Sequence, residues 1–379
     1  MPDPPFNAFR FAFEHRREVV WMSQNTNHLV PPAIVGDAVR AAIAERRYEG
    51  YPNPAGEPEL HELVRRDLGL PAGVDTFVTA GATEALYMAT RGLLGPGDEV
   101  IASDPSYLII HRFVELSGAR TVNLDIYAPP YRLTAERIQA AITPKTRWVL
   151  LIDPLNPLGS AYPTEEVRAI AEIAHDHHLL LIHDVTYRDF NGAPPVATAF
   201  AADDTLAIWS TSKNCGVAGL RLGGLAASAE LVKKVARYNT NDLGVNVLAQ
   251  VAAIAGLRAK AGFLPDIVRQ TRENQARIRD VAGAVEGVSL PVYPSHANMF
   301  VIDLTGTGVA PEALQEELLV RHHVFLRAGN YLSPKFGGRF IRASFSNPAS
   351  DVDRFAKAFP VALASVRPRK PVSPAASSR

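Results

Sequence analysis

An α/β architecture is what this sequence predicts: a large domain built on a mostly parallel sheet, followed by a smaller α+β domain. Three observations carry the prediction. Apolar runs of strand length recur at 74–79, 99–102, 119–125, 148–152, 179–183, 205–209 and 223–227. Stretches with helical spacing separate several of them, at 83–94, 106–116 and 164–175. Strands alternating with helices imply a parallel sheet covered on both faces. Small and polar residues also gather directly after the runs, and such sheets bind ligands at the carboxyl ends of their strands.

The individual elements have local reasons. Thr164 is placed to cap the helix it opens, with Glu165 and Glu166 in the first turn, where the positive end of the helix dipole favours acids. A long helical pattern from about 247 to 281 predicts a helix connecting the two domains. Beyond it, 288–294, 299–304, 324–326 and 339–345 read as strands, with helices near 311–322 and at the end. No internal repeat interrupts this order.

Composition narrows the function. The 379 residues hold 47% hydrophobic and 21% charged side chains, an ordinary globular balance. Lys plus Arg equals Asp plus Glu at 39 each, so no overall field favours nucleic acid or an anionic membrane. The single Cys215 excludes an intramolecular disulfide and fits a reducing, cytoplasmic setting. The start lacks the pattern of a signal peptide, and no apolar run reaches the roughly 20 residues of a membrane span. A cytoplasmic protein acting on a small molecule is expected.

The chemistry lies at the strand ends. Ser210-Thr211-Ser212-Lys213-Asn214-Cys215-Gly216 follows one strand and runs into Gly219-Leu220-Arg221-Leu222-Gly223-Gly224. A lysine among small residues can approach a cofactor closely, while Ser210, Ser212 and Arg221 can donate to a phosphate. Alone, Lys213 reads equally well as a surface lysine. Thr79-Ala80-Gly81-Ala82-Thr83-Glu84, however, follows a second strand and opens a helix whose free N–H groups suit a phosphate. Tyr107 comes after a third strand, where its ring could stack on a pyridine or simply fill a core. Asn156 and Asp184 end two more, with Tyr187 just beyond. Pyridoxal 5′-phosphate (PLP) needs such groups: an acid facing the ring nitrogen, donors for its phenolate oxygen, and a lysine that joins it as a Schiff base and moves protons at Cα. His175, His177, His178 and His183 read as solvated or packed, and no metal motif is present.

With SQNTNHL at 23–29, GYPNPAG at 50–56, DPLNPLG at 153–159 and STSKNCGVAGLRLGG at 210–224, the chain resembles the fold-type I PLP enzymes over about 20–359. Within them it is most similar to the histidinol-phosphate aminotransferase-like branch. The resemblance implies the type I PLP-dependent transferase fold, with Ala82 and Thr83 on the phosphate, joined by Ser210, Ser212 and Arg221. It puts Tyr107 on the ring, Asn156 and Tyr187 at the phenolate oxygen, and Asp184 at the pyridine nitrogen. Tyr51 would reach the phosphate of a neighbouring subunit, implying a homodimer with shared sites. Arg342 matches the arginine that clamps a substrate carboxylate, a buried structural arginine being the alternative. The implied layout is an arm and substrate loop over 1–45 that packs with the small domain, a PLP-binding domain over 46–280, a small domain over 281–366 and a disordered tail over 367–379.

Fold does not fix reaction. His28, and the run Asp184-Val185-Thr186-Tyr187-Arg188-Asp189-Phe190, resemble a smaller group of oxygen-consuming PLP-dependent arginine oxidases and hydroxylases. That group has a catalytic N-terminal histidine and, fourteen residues earlier, a glutamate that closes over the substrate; Glu14 stands at that offset from His28. Ser210 and Thr26 depart from the group, which has aspartates there; Asp189 or Asp242 could replace the missing carboxylate, and Thr26 stands among the expected substrate contacts with Glu14, Asn156 and Arg342. The expected reaction is therefore oxidation of a cationic amino acid, arginine first. O2 is the co-substrate, Lys213, His28 and Asp184 are catalytic, and a 2-oxo acid, ammonia and peroxide are released. The alternative is transfer of an α-amino group to a 2-oxo acid. A non-enzymatic regulator of this fold would need a DNA-binding domain, and none is expected in these 379 residues.

Overall fold

The computed structural model describes residues 6–239 and 241–368. In chain order its strands are β1 (Val20–Trp21), β2 (Val74–Thr79), β3 (Glu99–Asp104), β4 (Arg120–Asp125), β5 (Thr146–Ile152), β6 (Leu180–Asp184), β7 (Thr205–Ser210) and β8 (Gly223–Ser228), then β9 (Met299–Asp303), β10 (Val324–Phe325), β11 (Arg327–Ala328) and β12 (Phe340–Ser344). Seven of them form one sheet in the order β2-β8-β7-β6-β5-β3-β4. Strands β3 to β7 run parallel, and β8 is antiparallel to both β2 and β7. The central strands β3 and β7 are buried throughout because helices cover both faces, which is why they read as apolar runs. Edge strand β4 mixes exposed and half-buried residues instead.

Close packing explains the Gly223-Gly224 pair. A Cβ on Gly224 would lie 2.1 Å from the Phe77 carbonyl and 2.6 Å from the Trp209 ring. One on Gly223 would lie 2.6 Å from the Ala82 nitrogen. Only glycine lets β8 approach β7 and the neighbouring helix start so closely.

The smaller unit is a β11-β12-β9 antiparallel sheet with helices Pro311–His322 and Ala349–Val366, around a core that includes Phe300, Phe345, Phe355 and Phe359. β1 pairs in parallel with β10, and Val20 and Met22 enter the same core, so the N-terminal segment is stitched to this unit.

Several sequence expectations are corrected. Thr164 is the first residue of helix Thr164–Asp176, and Pro163 before it is the cap, so no side chain caps that end. Segment 288–294 contributes only a bridge from Ser289 to Asp303. Leu326 separates β10 from β11, which pair with different sheets. Helices Pro32–Ala44 and Pro58–Leu68 were not expected, although each opens on a proline, a start signal at the first helical position. Helix Val247–Gly283 contains an 18-residue window of mean hydropathy 1.4, apolar enough for a span. It packs along Pro32–Ala44, Pro58–Leu68 and Ala349–Val366, with 33% of that window buried. From residue 369 onward, the expected tail lies outside the described residues.

Candidate active site

The carboxyl ends of β3, β5, β6 and β7 open into a cavity of about 390 Å³. Ala82, Thr83, Tyr107, Asn156, Asp184, Tyr187, Ser210, Ser212, Lys213, Arg221 and Arg342 all line it. Sequence neighbours of strand ends thus meet in space because parallel strands all point the same way.

Lys213 sits in the one-turn helix Thr211–Asn214 directly after β7. Its half-buried amine donates to the Gln24 carbonyl (3.0 Å) and lies 6.0 Å from the centre of the Tyr187 ring. Burial, then the charges of Arg342 and Arg221, bring its pKa down to about 7. A large fraction of the amine is therefore neutral, and so nucleophilic, at physiological pH.

Asp184 is buried, and one carboxylate oxygen accepts from the Thr186 amide (3.0 Å) and hydroxyl (2.6 Å). Burial raises its pKa against those hydrogen bonds. Among the described residues no donor meets the second oxygen. A buried carboxylate with free acceptor capacity is costly, and a protonated ring nitrogen would relieve it.

The Tyr187 hydroxyl accepts from Asn25 Nδ2 (3.0 Å), and burial pushes its pKa up. Arg342 is buried; Nη1 donates to Asn156 Oδ1 (2.7 Å) and Nη2 to the Ser23 carbonyl, while Nε has no partner. Burial lowers its pKa to about 10, leaving it charged at neutral pH.

A phosphate cradle stands at the other end. Helix Ala82–Leu93 directs its N-terminus at the cavity after Gly81, whose φ is +89°. A Cβ there would lie 2.6 Å from Arg221 Nη2, so glycine alone lets the guanidinium rest against the helix start. Free helix N–H groups, the Ser210 and Ser212 hydroxyls and Arg221 make a donor set suited to a phosphate dianion. A phosphate cradle, a buried carboxylate with one oxygen still open and a lysine of lowered pKa in one cavity match PLP.

Four expected residues do not reach the cavity. Thr26 Oγ1 and His28 Nε2 bond each other at 2.7 Å, and neither lines it. Partial burial lowers the His28 pKa; Asp351 opposes that and Lys213 adds to it. Glu14 pairs on the surface with Arg10 (2.9 Å). Tyr51 is 80% exposed. Asp189 is tied to Lys260 and Asn214, and Asp242 is exposed. Among the described residues Asp184 is thus the one acid in the cavity wall. Of the histidines read as solvated or packed, His175 meets Asp204, His177 meets Gln139, and His183 is buried against the Ala197 amide.

Other lining residues were not foreseen. Ser23, Gln24 and Asn25 belong to the quoted 23–29 motif, and Asn25 takes a left-handed φ of 52° that asparagine tolerates. Phe9, Arg327 and Tyr331 carry no local signal. Arg327 lies 3.9 Å from the Tyr331 ring centre and 4.6 Å from that of Phe9, with no acid beside it among the described residues.

Comparison with known proteins agrees with this geometry. Residues 17–359 match the family "Aminotransferase class I and II", and the chain belongs to that PLP-dependent family. It is 30% identical to the arginine–pyruvate transaminase AruH of Pseudomonas aeruginosa over 340 residues, covering 86% of this chain and 85% of that protein. It is 29% identical to the aspartate/prephenate aminotransferase of Thermus thermophilus, covering 80% and 82%. A crystal structure of an aminotransferase from Mycobacterium tuberculosis shares the fold, with a TM-score of 0.82 at 24% identity over 96% of this chain and 98% of that one. A mutant of Thermus thermophilus aspartate aminotransferase has a TM-score of 0.77 at 25% identity over 89% and 95%.

These findings correct the expected reaction. The relatives are aminotransferases, and they overturn the oxygen-consuming oxidation of a cationic amino acid. The site gives the physical reason. His28 is bonded to Thr26 outside the cavity, Glu14 is a surface residue, and among the described residues the cavity wall holds no carboxylate besides Asp184 to meet a guanidinium.

Proposed function

We propose that this protein is an aminotransferase that moves the α-amino group of an amino acid to a 2-oxo acid. Its motifs favour the histidinol-phosphate aminotransferase-like branch. The observation that carries the reading is that Lys213, Asp184 and Arg342 share one cavity at the strand ends. Bound PLP supplies an aldehyde and an electron-withdrawing ring that make the substrate Cα–H acidic. The chain's residues do the rest. Ala82, Thr83, Ser210, Ser212 and Arg221 hold the phosphate, Tyr107 borders the ring, and Asn156 and Tyr187 hold the phenolate oxygen. Asp184 accepts from the ring nitrogen. Arg342 binds the α-carboxylate, which aims Cα–H at Lys213, and Lys213 Nζ takes the proton from Cα.

The side chain of the donor meets Phe9, Tyr331 and Arg327, with no acid beside them among the described residues. Like charges placed together cost several kcal/mol, so neutral or acidic donors should exceed arginine in kcat/KM by roughly tenfold or more. The holoenzyme is assayed with a panel of amino acids and 2-oxo acids, in air and under argon. New amino acid should form from the oxo acid at equal rates in both. Ammonia release and oxygen uptake without any oxo acid would refute the proposal, and an arginine preference would refute the charge argument.

We also propose a homodimer in which Tyr51, exposed in the single chain, completes the partner's phosphate site. Mixing Tyr51→Phe and Lys213→Ala subunits creates heterodimers with one site lacking both residues and one intact. Activity should recover on mixing. A fully active monomer would exclude the shared site.

A further inference from the structure

A buried ionic cluster lies behind the lysine turn, outside the cavity. Asp189 Oδ2 accepts from Asn214 Nδ2 (2.7 Å), and Asp189 Oδ1 accepts from Lys260 Nζ (2.9 Å). Lys260 also pairs with Asp67, and Arg188 donates to the carbonyls of Asp67, Ala193 and Pro194. Asp189, Asn214 and Arg188 are all buried.

Stability is a weak explanation for such a cluster, because buried ion pairs are often no better than apolar packing of the same volume. Position is a better one. Asn214 directly follows Lys213, and its helix is a single turn whose closing cap bond runs from the Cys215 amide to Thr211 (3.2 Å). One turn of helix has no cooperative stability of its own and must be fixed from outside. Two outside contacts join it to the long helix Val247–Gly283. A Cβ on Gly256 would lie 2.8 Å from Cys215 Sγ, so the turn nests against that glycine. Lys260 stands four residues further on the same helix face and grips Asp189, which grips Asn214. Asn214 Oδ1 has no partner, so the grip from Asp189 sets the side chain's place. Across the turn, Asn27 Nδ2 holds the Lys213 carbonyl (2.8 Å).

We propose that Asp189, fixed by Lys260, is a positioning residue for Lys213 and acts through Asn214. The proposal rests on Lys213 being the lysine that joins PLP. Borohydride fixation and peptide mapping of the wild type test that premise separately, since label on another lysine would sink the premise first.

Asp189→Ala, Asn214→Ala, their double variant and Asp189→Asn are compared with wild type. Apo-protein is mixed with PLP across a pH range, and covalent capture at Lys213 is timed by absorbance and borohydride trapping. Each alanine variant should slow capture and lower kcat by about tenfold to a hundredfold, with the donor KM moving less than about threefold. The pH midpoint of capture should rise by roughly one unit as water reaches the amine. The double variant should be no worse than either single one, as for residues acting in series. Asp189→Asn has one acceptor oxygen where Asp189 uses two, so it can meet Asn214 or Lys260 but not both, and should restore only part of the capture rate. Should Asp189→Ala not fold, Asn214→Ala decides alone, because it leaves the ion pairs intact. Asn214→Ala with wild-type capture, midpoint and kcat overturns the proposal. So does an Asp189→Ala protein that loses only melting temperature.

Discussion

Replacing Lys213 by alanine is expected to lower kcat by at least about 10²–10⁴-fold, the usual span of a positioned acid–base group, while leaving the fold intact. Its amine projects from a one-turn helix into the cavity, and its hydrogen bond goes to the Gln24 carbonyl, so truncation removes little packing. In the wild type, borohydride in the presence of PLP should fix the cofactor to Lys213, and capture by apo-protein should increase with pH through about 7. That direction follows from the sign of the shift: burial, Arg342 and Arg221 all disfavour the protonated amine, so the neutral form appears early. Small primary amines added to Lys213→Ala should restore part of the rate, since the missing function is a movable base. Label mapped to Lys145 or Lys233, or a Lys213→Ala protein of normal kcat, would remove Lys213 from the chemistry.

Replacing Arg342 by glutamine should strike binding instead. A hydrogen bond to a charged group is worth roughly 1.5–3 kcal/mol, so KM should rise about tenfold to a hundredfold for both the amino donor and the oxo acid. The two substrates share an α-carboxylate, and both should be affected alike. Lysine at this position is no conservative exchange, because it lacks the planar fork that meets a carboxylate with two bonds. The variant also deletes a charge that depresses the Lys213 pKa, so the capture midpoint should move upward. A KM increase for one substrate only would assign Arg342 to a side-chain group. An unchanged KM with a lower melting temperature would mark it as structural.

The cavity wall was legible wherever function sits just past a strand. Lys213 follows β7, Asp184 ends β6 and Asn156 follows β5, so a local reading of apolar runs placed each one correctly. Arg327 and Phe9 escaped because their presence depends on how β11 and the first helix pack, which no short window records. Glu14 shows the opposite failure, in which sequence offset stood in for distance. Phe9 of helix Ala8–Glu14 lines the cavity, and a residue five positions later lies about 140° around a helix of 3.6 residues per turn. One helix cannot turn both residues inward, and Glu14 pairs with Arg10 on the outside. His28 was misread for a related reason. Asn25 points at Tyr187 from the same loop, while Thr26, one position on, turns away and takes His28 with it.

Arg342 already has two neutral acceptors, the Asn156 side chain and the Ser23 carbonyl. A carboxylate arriving at this guanidinium can take the unpartnered Nε–H and a remaining Nη hydrogen while both neutral acceptors stay in place. Those acceptors hold the planar fork in one orientation, so little side-chain freedom is lost when the acid docks. In an amino-group exchange one acid must leave before another can use the same anchor, and between the two visits the Asn156 and Ser23 oxygens keep this guanidinium aimed at the cavity.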